Sequence, residues 1–306
     1  MKSQSEAPLW VVAVLAGLLA CGPRPSAGQP KKKTLVVTYA VLGSVVKDLV
    51  GDAFDVATLI PNGKDIHEWE PSAQDIETLT RADLVVENGL GLEGGLEKAL
   101  DQARKSGAKV FTASDHITIR TVGAGEGIPS DDPDQAAGAK DPHLWTDPVA
   151  IKSVVNALAG SLKQEFGTDF STRAADLDQR LADLDAEIQG CVAVLPREKR
   201  KLVTGHESLG YFAQRYGFKL VGAVIPSLTS EAASSAAGLA ELKKLIRSNH
   251  VSVVFTETGT PTRTGEVLAK EAGVKTVPLA THSVPPDGSY FSFERALSGT
   301  LIKALQ

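Results

Sequence analysis

Cysteine is almost absent from this chain. Only Cys21 and Cys191 occur in 306 residues, so no disulfide framework holds the fold and a core must do it. A basic stripe is missing too: the formal net charge is -5, which excludes a nucleic-acid footprint. Lys31-Lys32-Lys33 is a short solvated run. No uncharged apolar stretch is long enough to span a bilayer comfortably, and the best of them, Ala7 to Ala20, has the length of a signal-peptide h-region. Histidine is scarce, with six copies. None forms a short ligand pair such as H-E-x-x-H, because His67-Glu68 is followed by Trp69-Glu70-Pro71.

Lys2 precedes the apolar run, and Leu18-Leu19-Ala20-Cys21 closes it. That tetrapeptide resembles a bacterial lipobox, in which the cysteine is diacylated and becomes the first mature residue. Residues 1–20 are therefore expected to be a lipoprotein signal peptide. Residues 21–33 are expected to be a flexible tether, Pro/Gly-rich up to Pro30, that lets an anchored domain stand off the membrane. The other reading is an ordinary cleaved signal that leaves Cys21 free.

Beyond the tether, short β-branched runs alternate with helical-period segments, the pattern of parallel α/β layers. In the first half the pattern predicts strands at 35–40, 55–60, 84–88 and 109–112, with helices near 42–50, 72–81 and 93–105. In the second half it predicts strands at 201–204, 219–224, 251–255 and 274–278, with helices near 209–216, 236–247, 265–272 and 291–305. Both halves carry basic residues before a first strand and an Ile-Pro after the second, Ile60-Pro61 and Ile225-Pro226. The expected architecture is thus α/β with two similar lobes, each a parallel four-stranded sheet flanked by helices. We place the N-terminal lobe at 34–147, linking helices at 148–198 and the C-terminal lobe at 199–306.

Within the link, Asp147-Pro148 reads as an N-cap followed by Pro at the first helical position. Leu177, Leu181, Leu184, Ile188, Val192 and Leu195 then give a stripe at helical spacing. A helix over 172–195 would be about 36 Å long. Packed along both lobes, it is stiffer than strand hinges and argues against large domain closure.

Four histidines follow predicted strand ends, where open α/β sheets place their ligands. His67 sits between the turn residues Pro61-Asn62-Gly63 and an expected Pro71-started helix, a placement that fixes it outside a core. His143 lies in Asp141-Pro142-His143-Leu144-Trp145-Thr146-Asp147-Pro148, His206 in Thr204-Gly205-His206-Glu207-Ser208, and His282 in Thr281-His282-Ser283. His250 precedes a strand and belongs to the opposite edge; His116 opens the polar segment up to Lys140. Neutral imidazoles suit zinc, copper, nickel or iron, whereas manganese prefers carboxylate oxygen.

Together the segments Pro61 to Pro71, Asn88-Gly89-Leu90-Gly91-Leu92-Glu93, Asp141 to Pro148, His206 to Gly217 and Phe255-Thr256-Glu257 resemble the metal-binding lipoproteins of bacterial ABC importers. These are the cluster A-I solute-binding proteins, the ZnuA, TroA and AztC group. The similarity runs from about Thr34 to the C-terminus. It implies capture of extracytoplasmic metal between the lobes, with zinc favoured over manganese, and delivery to an ABC permease and its ATPase. It also implies a monomer, exported and membrane-anchored through Cys21, facing the periplasm or the cell exterior, with no enzymatic activity. The family's metal ligands carry over to His67, His143 and His206. Its fourth ligand is usually an aspartate; here His282 holds that place, unless Asp287 or water substitutes. The His-rich loop of some zinc members is missing, since 121–140 carries Glu126, Asp131, Asp132 and Asp134 but no histidine.

Other classes compete. Gly89-Leu90-Gly91-Leu92-Glu93-Gly94 fits G-x-G-x-x-G, with Asp115 near the place of a ribose-binding acid, as in an NAD-dependent oxidoreductase. The motif, however, follows the third strand of its lobe instead of the first. A zinc hydrolase would need three histidines, a water and Glu207 or Glu257 as base; a fourth protein ligand closes that site. An adhesin role is a further, non-transport class.

Overall fold

The computed structural model describes residues 32–124, 126, 136–257 and 262–306. Cys21, the expected signal peptide, the tether up to residue 31, and residues 125, 127–135 and 258–261 lie outside them. In the first half β1 (Thr34–Tyr39), β2 (Asp55–Ile60), β3 (Leu84–Glu87) and β4 (Val110–Thr112) form one parallel sheet in the order β2-β1-β3-β4. Val37 pairs with Thr58 on one side and Val86 on the other. β3 is buried at every residue, and β1 at all but its first, which is why their sequences are continuous aliphatic runs without alternation. The helices are α1 (Ala40–Val50), α2 (Ala73–Thr80) and α3 (Glu97–Lys105). Pro71 does not start α2, as the sequence had suggested. Ser72 is its N-cap, in a reciprocal capping box with Asp75.

α4 (Pro148–Phe166) begins as expected, with the Asp147 side chain accepting the Val149 N–H and Pro148 in the first turn. α5 (Ser171–Ala193) buries Leu177, Leu181, Leu184, Ile188 and Val192. It packs on α1 and α4 of the first part of the chain and on α9 (Tyr290–Leu305) of the last.

The second half continues with β5 (Lys201–Thr204), α6 (Gly210–Tyr216), β6 (Lys219–Ala223), α7 (Ala236–Ser248), β7 (Val253–Glu257), α8 (Thr262–Ala272) and β8 (Lys275–Leu279). Its strands pair as β5-β6 and β7-β8, both parallel, and β5 runs beside β7. No ladder joins β5 to β7 among the described residues, whereas one four-stranded ladder was expected. At the end of that seam a side chain takes the role of strand carbonyls: Glu257 Oε1 accepts the Gly205 and His206 N–H groups at 2.9 and 3.3 Å.

One continuous core draws on both halves, from Leu35, Val37 and Tyr39 through Leu181 and Leu184 to Phe255, Leu279 and Leu301. A smaller cluster lies under α7 and α8, around Val203, Leu242, Val254 and Leu268. Apolar burial at roughly 25 cal/mol per Å² favours keeping such a core shut. The two halves therefore share one packed core.

Glu294 of α9 interrupts this core. Both of its carboxylate oxygens are buried without a hydrogen-bond partner, and burial, reinforced by the charge of Asp147, pushes its carboxyl well above the usual range. Tyr290 and Tyr216 surround the same carboxyl. In the unfolded chain this group ionises near ~4.3, so above that pH the unfolded state gains what the folded state forgoes, and the cost grows as pH rises. Glu294→Gln should therefore raise stability at pH 7 by ~1 kcal/mol or more. The gain should vanish below about pH 4, as read from urea midpoints at both values.

Candidate metal centre

Four loops at one edge of the strands converge. His67 lies in the turn after β2, His143 just before α4, His206 after β5 and His282 after β8. All four are buried, at 5, 0, 2 and 5% exposure respectively. His67 was expected outside a core; it is as inaccessible as core side chains, yet its neighbours are other imidazoles. His143 Nε2 stands 3.4 Å from His67 Nε2 and 3.2 Å from His206 Nε2. One nitrogen of each of these three lies within 4.8 Å of the other two.

The far side of each ring is tied down. Asp141 Oδ1 accepts from His143 Nδ1 at 2.9 Å, and Glu257 Oε2 lies 3.0 Å from His206 Nδ1. His67 is held by the backbone at Leu92. Thr281 Oγ1 donates to Glu257 Oε2 at 3.0 Å and lies 3.1 Å from His282 Nδ1. A hydroxyl has one proton, so Thr281 must accept from His282 Nδ1. The network thus assigns the Nδ1–H form to His143 and His282, leaving each Nε2 as a bare lone pair, and the Glu257 charge beside His206 Nδ1 favours the same form there. His282 Nε2 is buried and has no partner, although it falls outside the group of three.

Electrostatics support neutral rings at most of these positions. Burial, with the neighbouring imidazoles, pushes His67 well below the usual histidine value. Burial also lowers His143 and His282. At His206 burial is outweighed by the Glu257 charge, and the net direction is up. Burial would raise Glu257, but His206, His282 and Ser208 hold it down at about 2. Burial likewise works against Asp141, and its contacts with His143 and Arg120 bring it below the carboxylate range.

Asp141 and Glu257 are functional residues whose orienting role the sequence reading missed. Asp-x-His spacing offered a signal for the first. The second comes from another strand and left none. The other histidines stay apart: His116 stacks on Phe111 at 4.7 Å between centroids, and His250 lies in the turn before β7, at the opposite ends of the strands. Asp287 is exposed and precedes the Ser289 N-cap of α9, accepting from Ser289 N at 3.1 Å.

The glycine fingerprint has a packing explanation. A Cβ on Gly95 would stand 2.2 Å from the Trp69 carbonyl, and one on Gly94 would stand 2.9 Å from that of His67. Bare backbone is needed there so that the Gly95 N–H can reach His67 O at 3.2 Å. These glycines therefore seat the His67 loop. Loops of the two halves also bond directly. Trp145 Nε1 donates to Thr281 O at 2.7 Å, and Asn62 clasps Val284, donating to its carbonyl at 2.8 Å and accepting its N–H at 2.9 Å.

Fold and site together define a two-lobed α/β protein with a buried histidine cluster at the strand ends. The family model described as zinc-uptake complex component A, periplasmic, matches residues 35–304. The zinc-uptake protein ZnuA of Bacillus subtilis is 31% identical over 89% of this chain and 87% of its own. The manganese ABC transporter substrate-binding lipoprotein PsaA of Streptococcus pneumoniae is 28% identical over 95% of each. The solved periplasmic zinc-binding protein TroA of Treponema pallidum superposes with a TM-score of 0.77 at 25% identity, over 90% of this chain and 99% of that one. The chain belongs to the ZnuA family of ABC-transporter substrate-binding proteins.

The clasp makes a local prediction. Asn62→Ala removes two exposed hydrogen bonds of about 0.5–1.5 kcal/mol each. Amide exchange at Val284 should accelerate while the core strands keep their protection, as hydrogen-exchange mass spectrometry would read.

Proposed function

We propose that this chain captures one divalent transition-metal ion, zinc in preference to manganese, on His67, His143, His206 and His282 and hands it to an ABC permease driven by its ATPase. One observation carries the reading: buried Nε2 atoms stand 3.2 and 3.4 Å apart, with their rings anchored from behind. Donors at about 2.0–2.1 Å from a tetrahedral zinc ion stand about 3.3–3.4 Å from one another. Two hydrogen-bonded carboxylates behind the rings, Asp141 and Glu257, are the outer partners that fix ligand tautomer and basicity. His282 fits the fourth corner because its Nε2 is buried, bare and otherwise unused. A manganese cargo is the second reading, supported by the manganese relative.

The lobes are taken as 34–147 and 199–306, with 148–198 linking them, and the protein as a monomer that works outside the cytoplasm. No helix of the described residues is long and apolar enough to cross a membrane; attachment would instead come from two acyl chains on Cys21, since one chain anchors only marginally. With one core shared by the lobes, the ion would enter and leave by movement of the 280–284 loop once its bonds to Asn62, Trp145 and Glu257 open.

His67→Ala and His206→Ala should each weaken zinc binding by more than about 100-fold, beyond the 10–100-fold typical for an orienting group, while His250→Ala leaves it unchanged. His282→Asp should shift preference toward manganese, because oxygen replaces nitrogen in the set. Competition titration with both ions checks these; equal and negligible effects from all changes would remove the assignment. Separately, Cys21→Ser should abolish lipid labelling and release the protein from membranes. Unchanged membrane retention would count against the anchor.

A further inference from the structure

A second cleft, of about 410 Å³, opens at the C-terminal ends of β3 and β4, and none of the four clustered histidines lines it. Five acids and one arginine do: Glu87 at the end of β3, Glu93, Glu97 and Asp101, Asp115 in the turn after β4, and Arg104 of α3. Glu87 and Glu93 are each 3% exposed, whereas Glu97, Asp101 and Asp115 form an exposed rim. The volume is that of a small-molecule site, and open α/β sheets take their ligands at this edge. Gly89 and Gly91 of the glycine fingerprint line the cleft as well, but a dinucleotide phosphate would meet carboxylates there.

Rim acids alone would be a solvated face. Glu87 makes the difference. Its Oε1 takes two donors, Thr112 Oγ1 at 2.6 Å and the Arg104 guanidinium, while its Oε2 is buried with no hydrogen-bond partner. Thr112 and Arg104 both line the cleft, so the Glu87 carboxylate lies between lining residues. Arg104 gives its other terminal nitrogen to Asp101 Oδ1 at 3.2 Å. The fold thus sets one cation against five acids. Burial first, and the Glu87 charge with it, push Glu93 up to about 7 against its bonds from Asn88 and Thr38.

The spread of these acids decides which cation fits. Calcium takes roughly six to eight oxygens around one point, and magnesium demands a near-ideal octahedron. Among the described residues, the histidine, cysteine and acidic side chains that bring three donor atoms within 4.8 Å of one another are His67, His143 and His206, and no cleft acid joins such a group. Ammonium groups on a carbon chain meet dispersed acids one at a time, each N–H donating along its own line. Arg104 already does so from within, reaching Glu87 and Asp101 through separate nitrogens. We propose that this cleft binds a small organic dication of the aliphatic diamine class, one ammonium donating to Glu87 Oε2 and the other held by the rim acids. The site is separate from the histidine cluster and does not depend on metal capture.

Putrescine is titrated calorimetrically into the protein in about 0.15 M salt, where exposed charges more than about 8 Å apart are screened. Wild type should bind one equivalent. Glu87→Gln should weaken binding by about 10-fold or more, the size of a lost hydrogen bond to a charged group. The double variant Glu97→Gln, Asp115→Asn alters exposed side chains only and should weaken binding by roughly 2- to 10-fold. Glu241→Gln, on α7, should leave it unchanged. No binding by wild type overturns the proposal, as does unchanged affinity in the double variant, whether or not Glu87→Gln folds. Equal weakening in Glu241→Gln would reduce the effect to net charge and overturn it too. Displacement of putrescine by calcium or magnesium chloride at the same concentration would make the cleft a metal site and overturn the diamine assignment.

Discussion

Everything at the pocket depends on imidazole nitrogens being held face to face with their protons pointing away. Lone pairs 3.2–3.4 Å apart repel, and a protein left to its own stability would turn one ring to donate to its neighbour. Asp141 opposes that rotation by taking the Nδ1 hydrogen of His143, and the Glu257 carboxylate 3.0 Å from His206 Nδ1 disfavours it at His206. The arrangement is costly in isolation and becomes favourable when a cation draws on the lone pairs, so the folded chain carries the shape of its cargo in advance. Each anchor is set by a strand end or helix start: Glu257 ends β7, and Asp141 precedes the turn into α4.

The same economy explains the surroundings. Arg120 neutralises the outer oxygen of Asp141, and a Cβ on Gly210 would stand 2.1 Å from that oxygen. The first residue of α6 is bare so that an ion pair from the first half can lie against it. Trp145, nearly inaccessible, binds Thr281 O through its ring and receives Tyr290 Oη on its carbonyl at 2.9 Å. Through it, the loop bearing His143, the loop bearing His282 and α9 share one packing centre.

Much of this could be read from the chain before any coordinates. Strand and helix order, the Asp147-Pro148 start and the Leu177-to-Val192 stripe follow from local periodicity and caps, which act over a few residues. His67, His206 and His282 were recognisable because each follows a strand end in parallel sheets, whereas His143 comes just before α4. What stayed hidden was long-range. Glu257 supports His206 from 51 positions away. The missing ladder between β5 and β7 reflects a carboxylate standing in for carbonyls, which no residue pattern announces. Burial of His67 was missed because polar turn residues around it suggested exposure; the cover comes from distant positions, His143 and Gly95 of its own half and His206 of the other. The glycine run at 89–94 looked like a phosphate loop, since the same bare backbone serves either a ligand or a neighbouring chain segment.

The clasp between Asn62 and Val284 separates two properties that binding proteins often leave coupled. The donors that would grip an ion are buried, so tightness at equilibrium is set deep in the protein. Of the bonds that keep the 280–284 loop down, those between Asn62 and Val284 lie at the surface, which water or another polypeptide can reach, whereas those of Thr281 to Trp145 and Glu257 are buried. Residence time can therefore change while the grip does not. A docking surface offering its own donor and acceptor to the Val284 backbone would trade bond for bond with Asn62, and loosen that end of the loop at little cost in free energy while the Thr281 end stays held.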